Sequence, residues 1–449
     1  MSQLTRRQFT VSAGVLAAAT MLPGCGSDGD EPGGDAPKGA PPKERIVVVG
    51  AGMSGLAAAR RLADAGMDVT VLEARERIGG RTWTDTSLGV PIDLGGAWIH
   101  GPENNPLTEL ADQAGARRVE TDFDRPVVFQ DGRELSSEVV QSTLKRWQEI
   151  SKELAPLSED AGEDESVANG LAEVADMKDP LIQWAVASEI VGEYAADPDE
   201  LSLRWLGNEG EFGGGDLILP GGYQQLAQHL ARGLPIKLGA EVSRLIHSDS
   251  GVRLETTQGA VDADRVIITI PLGVLKAGTI AFDPPLPAEK LTAIKRLGFG
   301  LLDKVVLKFD QPFWPDADVI GLVGSEQPVS MLINGETFAD VPLLVGLRGG
   351  REARERETLS DQDAVAQVVT ALNAPNPTGS LVTRWDADPF ARGSYSFIAV
   401  GSSPDDMDAL AEPVGERLLF AGEATDPEFF ATVHGAYLSG IREADRILG

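Results

Sequence analysis

With 449 residues, the chain is long enough for two or three domains with a conventional core. Its 42% hydrophobic and 24% charged residues argue against wholesale disorder, collagen and a disulfide scaffold. A formal charge of −30 repels phosphate backbones, which argues against nucleic-acid binding as the main role, and it attracts cationic small molecules.

Residues 1–25 carry Arg6 and Arg7, an apolar run over 11–22, and then Leu22-Pro23-Gly24-Cys25. The run is shorter than the ~20 residues a spanning helix needs, so the order of parts predicts a twin-arginine export signal. Cys25 resembles a lipobox acylation site, with Pro23 as a departure. The expectation is an exported, periplasmic or extracytoplasmic protein that meets a membrane only through an N-terminal lipid. The Gly, Pro and acidic residues of 26–44 predict a flexible tether.

Ile46-Val47-Val48-Val49 has the β-branched character of a buried parallel strand and runs into Gly50-Ala51-Gly52-Met53-Ser54-Gly55. A helix is expected over 56–65, then Gly66, then a strand over 69–72 ending at Glu73. In this βαβ unit Gly50 suits the tight turn, Gly52 the approach of a pyrophosphate and Gly55 close helix–strand packing. Glu73 is placed to accept ribose hydroxyls. The fingerprint leaves NAD and FAD both open. In 74–82 a second glycine pair, Gly79-Gly80, is flanked by Arg75, Arg77 and Arg81, which suits another close approach to phosphate.

The run Leu72-Glu73-Ala74-Arg75 to Gly79-Gly80-Arg81 resembles the FAD fingerprint of the flavin amine oxidases, which include monoamine and polyamine oxidases and lysine-specific histone demethylases. Four further blocks carry the likeness: Asp93-Leu94-Gly95-Gly96-Ala97-Trp98-Ile99-His100-Gly101; Leu219-Pro220-Gly221-Gly222-Tyr223; 270–276 with 299–304 and Pro312-Phe313-Trp314; and Arg384-Trp385 through Ala431-Thr432-Val433-His434. The likeness is strongest to polyamine and spermine oxidases and to the oxidase part of the demethylases. It implies an α/β fold in which a Rossmann-type FAD-binding domain (45–118, 215–290 and 385–449) is interleaved with an α+β substrate-binding domain (119–214 and 291–384).

The resemblance also implies site residues. FAD, held without a covalent bond, would lie against Gly50, Gly52, Ser54, Gly55, Glu73, Arg75, Gly79, Gly80, Arg81, Ala97, Trp98, Val242, Trp385, Gly422, Glu423, Thr432 and Val433. Cys25, the only cysteine, lies in the export signal, so no cysteinyl–flavin link is expected. Period-two alternation alone puts Lys304 and Lys308 on a solvated strand face. The family match instead gives Lys304 a catalytic place, holding a water at flavin N5, and leaves Lys308 at the surface. Trp385 and Tyr395 would be catalytic aromatics. Tyr395, Thr432 and His100 would face substrate, and the pair Ala431-Thr432 implies an open channel in place of a symmetric aromatic cage. His434 is expected to be structural, and the helix over 433–448 to turn its N-terminus to the flavin.

The expected activity is FAD-dependent oxidation of a small cationic amine, above all a polyamine, by hydride transfer to N5, with O2 as electron acceptor and H2O2 as product. An L-amino-acid oxidase or other monoamine oxidase on the same fold is the alternative, and a non-catalytic flavoprotein a weaker one. The export signal and the lack of an inserted helical tower argue against histone demethylation. No His/Asp/Glu cluster has metal spacing, so no metal site is expected.

Overall fold

The computed structural model describes residues 44–324 and 327–449. The export signal expected over 1–25, Cys25 and all but the last residue of the tether lie outside the described residues.

The strand Arg45–Val49 pairs in parallel with Asp68–Leu72 on one side and Arg265–Ile268 on the other. Adding Ile236–Lys237 and Leu418–Phe420 gives a five-stranded parallel sheet. In chain order its strands run 3-2-1-4-5, so the chain reverses direction across the sheet between the first and fourth strands. The carboxyl ends there form the crevice where such sheets take ligands. Val47, Val48, Val71 and Ile267 are buried, as the near-continuous β-branched runs of a sheet covered on both faces require.

The helix Met53–Asp64 starts three residues earlier than the sequence pattern suggests. Gly52 serves as N-cap, and Gly55 sits inside the first turn, where a Cβ would lie 2.0 Å from the Gly50 carbonyl oxygen. Against this helix packs Val433–Leu448, again through glycine: a Cβ at Gly440 would lie 2.1 Å from the Ser54 carbonyl oxygen. Backbone cannot retreat as a flexible side chain can, so Gly440→Ala is expected to lower stability by about 1–3 kcal/mol despite its better helix propensity. A urea midpoint equal to that of the parent would show that the two helices have room to separate.

Val242–Ser248, Gly251–Thr256 and Gly259–Ala263 form an antiparallel meander extended by Ala281–Asp283. A mixed seven-stranded sheet runs Gly379–Val382, Leu302–Lys308, Leu343–Gly349, Met331–Asn334, Val319–Val323, Val127–Gln130, Arg133–Glu134. Val306, Ile333 and Val345 belong to an apolar cluster on one of its faces, and Leu307, Leu332 and Leu344 to a cluster on the other. The solvated face expected from alternation therefore does not exist. Lys304 is buried at 4% exposure, and Lys308, expected at the surface, is half-buried with its ammonium donating to the Leu88 carbonyl at 2.7 Å. Covering by neighbouring elements overrode a pattern that reads as one-sided. Near this sheet the helices Ser137–Asp160, Val167–Val174 and Pro180–Val186 lead into a π-helical turn, Ala187–Val191. A three-stranded sheet joins Trp98–His100 and Val119–Thr121 through Asp216–Ile218.

Candidate active site

At the carboxyl end of the parallel sheet lies a cleft of about 270 Å³. Gly50, with φ of +107°, makes the turn out of the first strand, and a Cβ there would lie 2.5 Å from Thr269 Oγ1. Gly52 differs: no atom lies within 4 Å of where its Cβ would stand, so its backbone borders open space in the cleft. As N-cap it also brings no side chain to the first amides of the helix, and no acidic residue occupies the first turn. Those N–H groups are left for an anion.

Glu73 is buried beside them, with one oxygen accepting Ala51 N at 2.7 Å and the other Arg75 N at 2.8 Å. Each oxygen keeps a lone pair for a hydroxyl. The cleft continues past Gly79, Gly80, Ser54, Val242, Gly422 and Glu423. A glycine wall, uncapped helix amides and a buried acid beside them fit a dinucleotide such as FAD.

Four expected contacts turn out to have partners within the protein. Arg75 forms a two-pronged pair with Asp388 at 2.8 and 3.0 Å. Arg81 donates to Glu423 at 2.9 Å and to the Ser394 carbonyl at 2.7 Å. Glu423 is buried and also accepts Ser396 Oγ at 2.5 Å and Ala431 N at 3.0 Å, so its carboxylate ties three segments together at the cleft wall. Ser54 Oγ lies 3.3 Å from Ser439 Oγ.

A second cavity of about 330 Å³ adjoins the cleft. The two share Arg81, Gly96, Ser394, Tyr395, Ala431, Thr432 and Val433 as walls. Ala97, Trp98, His100, Lys304 and Trp385 line the second cavity only. The Lys304 ammonium donates to the carbonyls of Asp93 and Gly95, both at 2.8 Å, and lies 5.6 Å from the Trp98 ring centroid. Burial pushes its pKa down to about 8, against the opposing pull of Asp93. Asp93, buried as well, is pushed up to about 6, while bonds from Thr84 and Tyr223 N favour its charge.

Trp385 is buried, donates its indole N–H to the Leu94 carbonyl at 3.0 Å and meets Trp83 edge-on. Tyr395 donates to the Gly192 carbonyl at 3.1 Å, just after the π-helical turn. The Thr432 hydroxyl donates to the Phe429 carbonyl at 2.7 Å and caps the last helix by accepting Gly435 N at 2.9 Å. His100 is bonded to Asp216 at 2.7 Å. His434 is buried against Phe212 and Phe429.

The sequence reading missed the acidic side of this cavity, formed by Glu189, Glu193, Glu209 and Asp216. Glu189 sits on the π-helical turn, where burial foremost, then Glu193 and Asp124, push its pKa up to about 8. A π turn inserts one residue into a helix and is frequent at functional sites. It interrupts the helical period on which a sequence reading depends.

A family model, flavin containing amine oxidoreductase, matches residues 53–448. Polyamine oxidase 4 of Oryza sativa subsp. japonica is 38% identical over 89% of this chain and 88% of its own length. Polyamine oxidase 2 of Arabidopsis thaliana is 35% identical over 89% and 87%. Lysine-specific histone demethylase 1 homolog 3 of Oryza sativa subsp. indica is 38% identical over 90% of this chain, which spans about half of that protein (54%). Among solved structures, wild-type putrescine oxidase bound to putrescine superposes with a TM-score of 0.77 at 25% identity, covering 90% of this chain and 99% of that one. With the cleft, the adjoining cavity and these likenesses in agreement, the chain belongs to the flavin containing amine oxidoreductase family.

Proposed function

We propose that the chain is a polyamine oxidase whose cleft holds FAD without a covalent link and whose acidic cavity takes the amine. The observation that carries this reading is a buried lysine and a carboxylate wall in one cavity that shares Tyr395 and Thr432 with the dinucleotide cleft. When bound, FAD supplies the acceptor for a hydride and passes its electrons on to O2.

The protein's part is orientation and proton handling. An ammonium has three N–H groups, and two of those on Lys304 are taken by the Asp93 and Gly95 carbonyls. The cavity therefore meets either the third proton or, in the neutral amine, a lone pair. A pKa of about 8 populates both forms near neutrality, which suits Lys304 Nζ to draw a proton from a bound ammonium, directly or through a water. The amine must lose that proton before its nitrogen lone pair can support the departing hydride. Trp385 and Tyr395, each anchored by a bond to a backbone carbonyl, give the cavity fixed aromatic walls.

Substrate choice follows from the lining. Arg81 is the single arginine on this cavity among the described residues, and Glu423 already holds it. Among the described lining residues, an L-amino acid's carboxylate would meet Lys304, whose ammonium already donates to two carbonyls, whereas a second ammonium would find Glu189 and favour its charged form. Glu189→Gln is expected to raise the KM for spermine about tenfold with a much smaller change in kcat, and to leave a monoamine's KM unaltered. Peroxide release from spermine, spermidine, monoamines and L-amino acids tests the whole reading. Turnover of L-amino acids in preference to polyamines would reject it.

The interleaved domain arrangement given by the sequence is part of the proposal. It is supported by a parallel sheet built from 45–72, 236–237, 265–268 and 418–420 and a seven-stranded sheet built from 127–134, 302–349 and 379–382. Export through the twin-arginine route, on Arg6 and Arg7, completes it.

A further inference from the structure

Asp303 precedes Lys304 on the strand Leu302–Lys308 and is buried at 8% exposure. Its Oδ1 accepts the Thr383 hydroxyl at 2.6 Å and Trp385 N at 3.2 Å. The Thr383 hydroxyl in turn accepts Lys304 N at 2.7 Å. The next two amides of the chain, Asp386 N and Ala387 N, donate to the Glu357 carboxylate at 2.8 and 3.0 Å. Two carboxyl groups from different elements thus hold the consecutive N–H groups of 385–387.

Asp303 Oδ2 is buried, and no N–H or O–H among the described residues reaches it. Ionised, it would be a bare buried oxygen facing a second carboxylate, penalised by burial and by like charge. A proton on Oδ2, donated to Glu357, removes both penalties. We propose that Asp303 is a positioning residue that works as a protonated acid, sharing one proton with Glu357, and that this carboxyl pair fixes Lys304 and Trp385 at the cavity wall. The protonation stands apart from any substrate; only its kinetic consequence rests on the oxidase reading.

Burial first, and Glu357 next, push the Asp303 pKa up to about 8, with Thr383 and the Trp385 N–H pulling the other way. Among the described residues, three nearby cations are engaged elsewhere. Arg384 turns to Asp361 and to the Glu357 and Leu359 carbonyls. Arg348, opposite Asp303 in the sheet register, goes to Glu352 and the Gln327 carbonyl. Lys304 sends its ammonium to Asp93 and Gly95.

The test compares the flavin-loaded parent with Asp303→Asn and Asp303→Ala. Asparagine keeps the acceptor for Thr383 and Trp385, offers Glu357 a permanent N–H and cannot ionise. The folded parent retains a proton that the unfolded chain releases above its ordinary value of 3.8, so parent stability falls, relative to Asp303→Asn, from there up to about 8. The melting temperature of Asp303→Asn is expected to gain on the parent steadily between about pH 5 and 8 and to hold a constant lead above that. Of the carboxylic-acid C=O infrared intensity of the parent at pH 7, to which Glu189 also contributes, one band should be lost in the difference spectrum between parent and Asp303→Asn. That variant should also recover the rate of flavin reduction by spermine that Asp303→Ala loses, at least tenfold. A melting-temperature difference independent of pH, absence of that band from the difference spectrum, or an asparagine variant as damaged as the alanine one would each overturn the proposal. Melting and infrared need no amine, so failure of the parent to oxidise spermine would count against the oxidase reading alone.

Discussion

Gly52→Val is expected to yield a folded protein that binds no flavin. Gly52 has ordinary extended backbone, with φ of −77° and ψ of −179°, so valine meets no conformational penalty there. Nothing lies within 4 Å of its Cβ, so the fold itself meets no clash. The added methyl groups instead occupy the part of the cleft beside the helix amides, where a pyrophosphate must come close to backbone. Flavin absorbance after gel filtration should fall to less than about a tenth of the parent value, a loss worth more than about 1.4 kcal/mol. Circular dichroism should be unchanged. A yellow, fully loaded valine variant would move the cofactor out of this cleft.

The second large effect is expected at Lys304. Lys304→Met keeps the length and apolar stem of the side chain but removes both carbonyl bonds and the titrating nitrogen, so Asp93 O and Gly95 O lose their donors. The cleft residues are untouched, and flavin content should stay at the parent level. Turnover of spermine should fall by one or more orders of magnitude, about 1.4 kcal/mol for each tenfold. Stopped-flow mixing separates the half-reactions, and reoxidation should suffer at least as much as reduction, since a cation stabilises superoxide-like charge. The sign of the pH dependence is specific. A pKa lowered to about 8 by burial means that Lys304 loses its proton as pH rises through 8, so the parent's flavin reduction should climb there, and the methionine variant should lack that limb. Lys308→Met, half-buried on the Leu88 carbonyl, serves as control and should leave both half-reactions near the parent rates.

The glycine-lined cleft was legible because its geometry is local. One strand, one turn and one helix carry Gly50, Gly52, Gly55 and Glu73 within a single run, and the periods of strand and helix place them without reference to distant chain. Lys304 shows where local reading stops: alternation exposed it, and only the packing of apolar clusters on both faces of the sheet buries it. Arg75 and Arg81 looked like free phosphate ligands because Asp388 and Glu423 lie more than 300 positions away. Glu189 was invisible because a π turn breaks the helical period, and Asp303 because its partner Glu357 arrives from another element. A resemblance located the lysine, but no periodicity could supply the carboxyl groups around it.

A polyamine bound in the acidic cavity is expected to deliver its electrons to flavin in the adjoining cleft. Anaerobic mixing of the purified, flavin-loaded protein with spermine, followed by flavin absorbance, tests it most directly, because neither O2 nor a coupling enzyme intervenes. The expected result is complete bleaching by spermine or spermidine in a saturable reaction whose rate rises through about pH 8, with L-amino acids leaving the flavin oxidised. Flavin that stays yellow under every polyamine, or that an L-amino acid bleaches faster, would contradict it.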